Sequence, residues 1–207
     1  MKITAVEPDK SHNDQLEVYV DGAYSFSLSS ESYYALNLYV DMELTPKALE
    51  GIKKNASFRS AKTAAIKFLS LKLRCSREID QKLSSLGYTG DIVESVLDEL
   101  NSLGYINDSM YVQKYIFDRS KLKPKSKKML KLELLHKGIS EEIIDGIIND
   151  YVMDEEVTVE NLIRKKFGKY DFEDPAVLKR IYSFLHHRGY AFELISEVLY
   201  SMRKEPD

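Results

Sequence analysis

The first thirty residues show a two-residue alternation of apolar and polar side chains, which predicts β-strands. The alternating apolar residues form two runs, one on each side of the dipeptide Asp21-Gly22: Leu16, Val18, Val20, and Tyr24, Phe26, Leu28. Asp-Gly between two such runs indicates a hairpin. Ile3 to Val6 is a candidate third strand, and after Ser30 the pattern becomes helical.

The apolar faces decide the predicted register of this hairpin. A two-residue loop would pair Tyr19 with Tyr24 and would place the two apolar sets on opposite faces. A three-residue loop over Val20–Gly22 pairs Val18 with Tyr24 and brings both sets to one face. We therefore predict the three-residue loop, with Gly22 in the left-handed conformation.

Beyond the hairpin, the strongest pattern is a repeat. Gly87, Gly138 and Gly189 are equally spaced, 51 residues apart. Apolar residues lie at matching offsets from each glycine: Ile79, Leu130, Ile181; Leu83, Leu134, Leu185; and Ala65, Ile116, Phe167. Within a unit these positions form helical stripes, and the glycine lies where a helix ends. The pattern predicts three units of three helices, with the glycine between the second and third helix.

Helix-start signals divide the chain into segments. Thr45-Pro46 is typical of a helix start, because a capping hydroxyl precedes proline at the first helical position. Ser57, Asp108 and Asp154 are candidate caps for the first helix of each unit. Since small helical repeats stack on their neighbours, we predict a mainly α fold, an elongated array of three tandem three-helix repeats behind a small N-terminal β-hairpin module. The predicted segments are 1–56 for the strand and short-helix module and 57–107, 108–153 and 154–207 for the repeats.

Composition excludes several classes of protein. The 207 residues are 43% hydrophobic and 30% charged, with nine Gly and five Pro, which suits folded helices with short connections. Cys75 is the single cysteine, so neither an intramolecular disulfide nor a thiolate-rich zinc site can form. No apolar run reaches the roughly 18 residues of a membrane span. We predict a cytoplasmic protein without membrane association.

The net charge of −3 hides a segregation of charge along the chain. Residues 119–137 hold eight Lys or Arg and one acidic residue, whereas 140–160 hold eight acidic residues and no basic one. Clustered cations neutralise phosphates or meet an acidic protein surface; the alternative is a solvated face that only favours solubility. We predict a partner- or DNA-binding site formed by Arg119, Lys121, Lys123, Lys125, Lys127, Lys128 and Lys131, with Arg164, Lys165, Lys166 and Arg188 as secondary candidates. Lys121 to Lys127 are expected on a linker around Pro124.

The titratable residues do not form a pattern typical of an active site. His186 and His187 are adjacent, and in a helix their rings point about 100° apart rather than toward one metal ion. Arg74 and Arg77 flank Cys75, but nothing nearby resembles a partnered base. We predict no catalytic residue, no metal and no cofactor.

Four short motifs resemble those of the RecX family. Residues 73–79, LRCSREI, resemble the R-S-x-x-E-L start of a second helix, and residues 103–108, LGYIND, resemble L-G-Y-L-D-D. Residues 134–139, LLHKGI, and 184–190, FLHHRGY, resemble L-x-x-K-G-I and F-L-x-R-R-G-F of the second and third units. The match covers roughly residues 57–202. It departs from the family at Cys75, where serine is usual, at Asn107, and at Lys125-Ser126, where a glycine-containing turn is usual.

This resemblance implies a function that composition does not. RecX-like proteins bind RecA filaments along the helical groove, suppress ATP hydrolysis and DNA strand exchange, and so modulate DNA repair, homologous recombination and the SOS response. The family has no catalytic residues, so the resemblance implies a non-enzymatic regulator. Its expected partners are the RecA filament and single- or double-stranded DNA, and a monomer needs no further assumption. Lys121 to Lys131 and Arg188 are expected to face the filament or its DNA.

Two other functions stay open. A helix, a glycine turn and a second helix over residues 76–100 also describe a helix-turn-helix DNA-binding regulator. Against this reading, residues 91–100 of the second helix include four acidic residues and no basic one. The other alternative is a helical scaffold protein that binds helices of its partners.

Overall fold

The structure is a computed structural model that describes residues 1–9 and 14–204. It confirms a mainly helical fold with a small N-terminal antiparallel sheet, whose strand order is β1-β2-β3. The strands are β1 (Ile3–Pro8), β2 (Gln15–Val20) and β3 (Ala23–Ser29). The helices are α1 (Ser30–Ala35), α2 (Pro46–Leu69), α3 (Ser76–Ser85), α4 (Gly90–Ser102), α5 (Asp108–Leu122), α6 (Lys127–His136), α7 (Glu141–Ile148), α8 (Glu155–Phe167), α9 (Pro175–His186) and α10 (Phe192–Lys204). Two compact units contain these elements, Met1–Asn107 and Asp108–Asp207.

The hairpin closes through the two-residue loop Asp21-Gly22, so the predicted three-residue loop is wrong. Tyr19 pairs with Tyr24, the pairing that the apolar faces had disfavoured. Both loop residues have positive φ, 50° at Asp21 and 81° at Gly22. These values suit a type I′ turn, whose twist matches that of the flanking strands. The left-handed conformation of Gly22 and the third strand, β1, are confirmed.

A β-bulge resolves the conflict between the short loop and the apolar faces. The register shifts between Val18 and Tyr19, so that Val18 pairs with Phe26 while Tyr19 pairs with Tyr24. Ser25 is the extra residue on β3, and such an insertion returns the following side chains to the opposite face. Phe26 and Leu28 therefore share the buried face of Val18 in spite of the two-residue loop, whereas Tyr24 lies on the other face beside Tyr19.

Helix α2 is longer than predicted and contributes to two hydrophobic cores. It begins after Thr45, whose Oγ1 accepts a hydrogen bond from the amide of Ala48 at 3.1 Å, which confirms the predicted start. Its first half packs on the sheet and its second half on α3 and α4. Ser57 is not a cap, because the helix runs through it without a glycine or proline between Lys53 and Leu69.

The three predicted three-helix units are confirmed. The second half of α2 with α3 and α4, then α5 to α7, and then α8 to α10 form them. Gly87, Gly138 and Gly189 lie between the second and third helices with φ of 87°, 79° and 85°. The residues that share an offset from these glycines have no exposed surface: Ile79, Leu130, Ile181, Leu83, Leu134 and Leu185. One packing scheme therefore serves all three units.

The predicted helix caps differ among the units. The side chain of Asp154 caps α8 by accepting a hydrogen bond from the amide of Val157 at 3.1 Å. Helix α5 begins at Asp108, which is thus its first residue rather than its cap. Among the described residues, no helix has the length and apolarity needed to cross a membrane.

Candidate partner-binding groove

The second and third repeats join through hydrogen bonds at the start of α6. The amide of Ser126 donates to the carbonyl oxygen of Arg188 at 3.0 Å, and the amide of Lys127 donates to Oε1 of Glu155 at 2.7 Å. Ser126 is buried, and its hydroxyl caps α6 by accepting from the amide of Met129 at 3.2 Å. Two amides at the start of α6 that have no partner within the helix are thus satisfied by the third repeat.

Gly189 allows this close approach between the two repeats. A β-carbon added to Gly189 would lie 2.5 Å from Oγ of Ser126 and 2.7 Å from Cβ of Met129. Gly87, at the equivalent place in the first repeat, also has positive φ, but an added β-carbon there would meet nothing within 4 Å. Of these two turns, only the one in the third repeat combines the left-handed backbone with a tight contact.

A groove of about 620 Å³ lies beside the junction. The end of α5, the linker that follows it, and parts of α8 and α9 form its walls. Five cationic side chains line it, and no Asp or Glu does: Lys121, Lys123, Lys165, Lys166 and Arg188. We call it the basic groove. It unites residues from the basic run with secondary candidates that are remote in sequence.

The aromatic ring of Phe184 orders two of these cations. Nζ of Lys166 lies 3.8 Å and Cζ of Arg188 lies 3.7 Å from the centre of the Phe184 ring. Nη1 of Arg188 also donates to the carbonyl oxygen of Phe184 at 3.1 Å. The Phe184 ring in turn packs edge-on against the buried Phe167. Cation–π contacts of this kind contribute roughly 0.5–2 kcal/mol each, so Lys166 and Arg188 are held in a defined arrangement.

Three other cations of the basic run are paired with carboxylates. Arg119 and Lys125 both pair with Glu133, and Lys131 pairs with Glu141 and Asp145 of α7. Each of these pairs joins elements within the second repeat. Their positive charge is therefore largely balanced before any partner arrives, unlike that of the groove cations.

The structure also corrects the predicted linker. Lys121 belongs to α5 and Lys127 begins α6, so the prediction that both lie on the linker is wrong. The linker is shorter than predicted, because α5 continues to Leu122 and Ser126 already caps the start of α6. Lys128 is exposed on α6 and does not line the groove, and Arg164 pairs with Glu160 on its own helix.

Sequence reasoning missed the apolar residues that complete the groove. Leu122, Pro124, Leu162 and Phe184 line it between the cations. Phe184 opens the fourth of the family-like motifs, which is the one available sequence signal for it. The others gave none, because an apolar residue on a helix normally predicts core packing.

The acidic face of α4 is bound to α2 rather than open to a duplex. Asp91 pairs with Lys54 at 2.7 Å, and Glu99 pairs with Lys62 at 2.8 Å. Hydrogen bonds from Lys54 and from Thr89 lower the pKa of Asp91 to about 2. Both ion pairs use cations of the same unit, so α4 offers no positive surface for phosphates, and the helix-turn-helix alternative loses support.

Glu133 connects α6 to α5 and to the linker, and its replacement tests that role. Desolvation acts to raise its pKa, but hydrogen bonds from Lys125 and Tyr115 outweigh it and lower the pKa below the ordinary 4.5. The carboxylate therefore stabilises the fold above that ordinary value, and the contribution disappears as the pH falls through the lowered pKa. We expect Glu133→Gln to reduce the free energy of unfolding at pH 7 by about 1–2 kcal/mol.

Urea denaturation from pH 7 downward checks this expectation. The difference between wild type and Glu133→Gln should shrink as the medium becomes acidic. Glu94→Gln is a suitable control, because Glu94 is an exposed residue of α4. A Glu133→Gln difference that stays constant with pH would contradict the role given to the carboxylate.

The fold places this chain among the proteins built from tandem helical repeats. The described residues form a small sheet and three helical repeats, and they contain no group of three potential metal ligands. Their most distinctive surface is the groove lined by five cations that have no carboxylate partner among the described residues.

Comparisons with known proteins agree with this class. Four family models match in chain order: the Regulatory protein RecX N-terminal domain over residues 1–45, and the first, second and third three-helix domains of RecX over 61–100, 107–146 and 154–199. Regulatory protein RecX of Clostridium tetani is 31% identical over 202 residues, covering 96% of this chain and 93% of the relative. The namesake from Clostridium acetobutylicum is 30% identical over 203 residues, covering 95% and 94%.

Solved structures show the same fold. A crystal structure of regulatory protein RecX matches with a TM-score of 0.69 at 22% identity, covering 95% of this chain and 98% of the other. The crystal structure of RecX from Lactobacillus salivarius matches with a TM-score of 0.60 at 23% identity, covering 72% and 98%. The chain belongs to the RecX family of regulatory proteins.

Proposed function

We propose that this chain is a non-enzymatic cytoplasmic regulator that binds RecA filaments and suppresses their ATP hydrolysis and DNA strand exchange. Family membership along nearly the whole chain carries the proposal, since relatives of similar length share the name regulatory protein RecX. The chain acts by occupying the filament, so it needs no reactive residue. By this route it modulates DNA repair and recombination.

Three features of the second and third repeats support a binding role. The basic groove gathers five cations without a carboxylate among its lining residues. Phe184 orders two of them, so less conformational entropy is lost on binding. Repeated modules can also add several modest contacts along a periodic partner, which raises the overall affinity. We assign the basic groove to the filament-facing surface.

RecA ATPase activity on single-stranded DNA tests the proposed function. Increasing amounts of the purified chain are added to preformed filaments, and ATP hydrolysis and filament sedimentation are followed together. We expect the chain to sediment with the filaments and to lower the rate of hydrolysis progressively. Unchanged hydrolysis at a several-fold molar excess of the chain would contradict the proposal.

The helical scaffold alternative predicts that RecA hydrolyses ATP at an unchanged rate, because a scaffold for unrelated helices does not act on RecA. The DNA-binding alternative predicts a sequence-selective shift of a duplex in the absence of RecA. A shift of that kind without inhibition of RecA would replace the proposed function with a DNA-binding one.

A further inference from the structure

We propose that the basic groove binds an acidic segment of a partner protein, with carboxylates on its cations and an apolar side chain on its leucines. This proposal rests on the proposed function only in taking the RecA filament as the source of that segment. The same cations would attract phosphates, so charge alone does not distinguish a protein partner from a nucleic acid. The uncharged residues of the groove supply that distinction.

The charges of the groove are available to carboxylates. Within residues 1–9 and 14–204, Lys121, Lys123, Lys165, Lys166 and Arg188 form no ion pair. Other nearby cations, such as Lys125 and Lys131, already have carboxylate partners within the second repeat. Complementary charge across an interface speeds association and disfavours wrong partners. The groove is therefore suited to a partner surface that is rich in Asp and Glu.

The apolar residues of the groove favour a protein segment. Leu122 is the last residue of α5, and 79% of its surface is exposed. It lines the groove together with Leu162 and Pro124. Contact with an apolar side chain would remove this surface from water, at about 25 cal/mol per Å². The phosphate groups that the cations would attract gain nothing in this way.

The aromatic content of the groove disfavours single-stranded nucleic acid. Proteins that bind such strands stack the bases on open aromatic faces. Phe184 is the one aromatic side chain among the groove's described lining residues. Lys166 and Arg188 lie over its ring at 3.8 and 3.7 Å, where a base would have to stack. The ring holds cations in place and offers no platform for a base.

Zero-length crosslinking with a carbodiimide tests the proposal directly. The reagent activates a carboxyl group, and a lysine amine within contact distance displaces the activated group to form an amide. We mix the full chain with RecA filaments on single-stranded DNA, add the reagent, and identify the linked peptides by mass spectrometry. We expect Lys165 or Lys166, together with Lys121 or Lys123, to be joined to Asp or Glu of RecA.

A matched pair of leucine variants tests the apolar part of the groove. Leu122→Ser removes the exposed leucine in the groove, and Leu71→Ser removes one that is 75% exposed in the other unit. We expect Leu122→Ser to weaken binding to the filament about fivefold or more and Leu71→Ser to leave it unchanged. Neither variant should alter binding to a protein-free oligonucleotide, measured by fluorescence anisotropy.

The outcomes separate this proposal from the proposed function. In one outcome the chain sediments with filaments and lysines elsewhere are crosslinked, but the groove lysines are not. This result would overturn the proposal that the groove binds an acidic segment and would leave the proposed regulatory function standing. If Leu122→Ser weakened filament binding and oligonucleotide binding equally, the groove would be assigned to nucleic acid. This result would also overturn the proposal of an acidic protein segment. A chain that neither sediments with filaments nor inhibits RecA would overturn both proposals.

Discussion

Replacement of Gly189 by alanine is expected to lower the free energy of unfolding by about 3 kcal/mol. A left-handed backbone costs an L-residue roughly 1–2 kcal/mol. The added methyl group would also lie 2.5 Å from Oγ of Ser126 and 2.7 Å from Cβ of Met129, and overpacking of this kind costs about 1–3 kcal/mol. The effect should appear in urea denaturation followed by circular dichroism.

Gly87→Ala is the matched control for this variant. Gly87 has a φ of 87° against 85° at Gly189, but no atom lies within 4 Å of an added β-carbon. Alanine also restricts the unfolded chain equally at both sites. We therefore expect a loss of only about 1 kcal/mol for Gly87→Ala. Equal losses in the two variants would contradict the tight contact between the second and third repeats.

Charge reversal in the basic groove is expected to have the largest effect on function. Lys165→Glu combined with Lys166→Glu replaces two unpaired cations by anions beside Arg188. An acidic partner would then be repelled where it had been attracted, and such juxtapositions cost several kcal/mol across an interface. We expect the concentration needed for half-maximal inhibition of RecA ATPase to rise by about tenfold to hundredfold.

A second double variant controls for net charge. Lys169 and Lys179 are exposed and do not line the groove, so Lys169→Glu with Lys179→Glu makes the same change in total charge elsewhere. Inhibition by this variant should remain within about threefold of wild type, since distant exposed charges are largely screened at physiological salt. Equal loss in both variants would indicate that total charge, and not the groove, governs binding.

The repeated helices were predictable from sequence because their signals are local and regular. The glycine positions follow from helix ends that require a left-handed residue, and the buried positions follow from helical periodicity. The hairpin register was not predictable in the same way. Asp21-Gly22 favoured a two-residue loop while the apolar faces favoured three, and the bulge at Ser25 brings Phe26 and Leu28 to the buried face while Tyr24 stays exposed.

The candidate site was predictable only in part. The run of cations pointed to the second repeat, but sequence alone could not show that Glu133 neutralises Arg119 and Lys125. Nor could it show that Arg188 would reach the linker, because that contact depends on the packing of Gly189 on α6. Contacts between residues that are remote in the chain require the tertiary structure.

Hydrogen exchange of the chain, with and without RecA filaments on single-stranded DNA, tests the central assignment most directly. If the basic groove faces the filament, amide exchange should slow in the peptides that contain 117–126, 158–166 and 184–190. Exchange in the sheet formed by β1 to β3 should change little. Slowed exchange confined to residues 1–107, with the groove peptides unchanged, would contradict the assignment of the filament-binding surface to the second and third repeats.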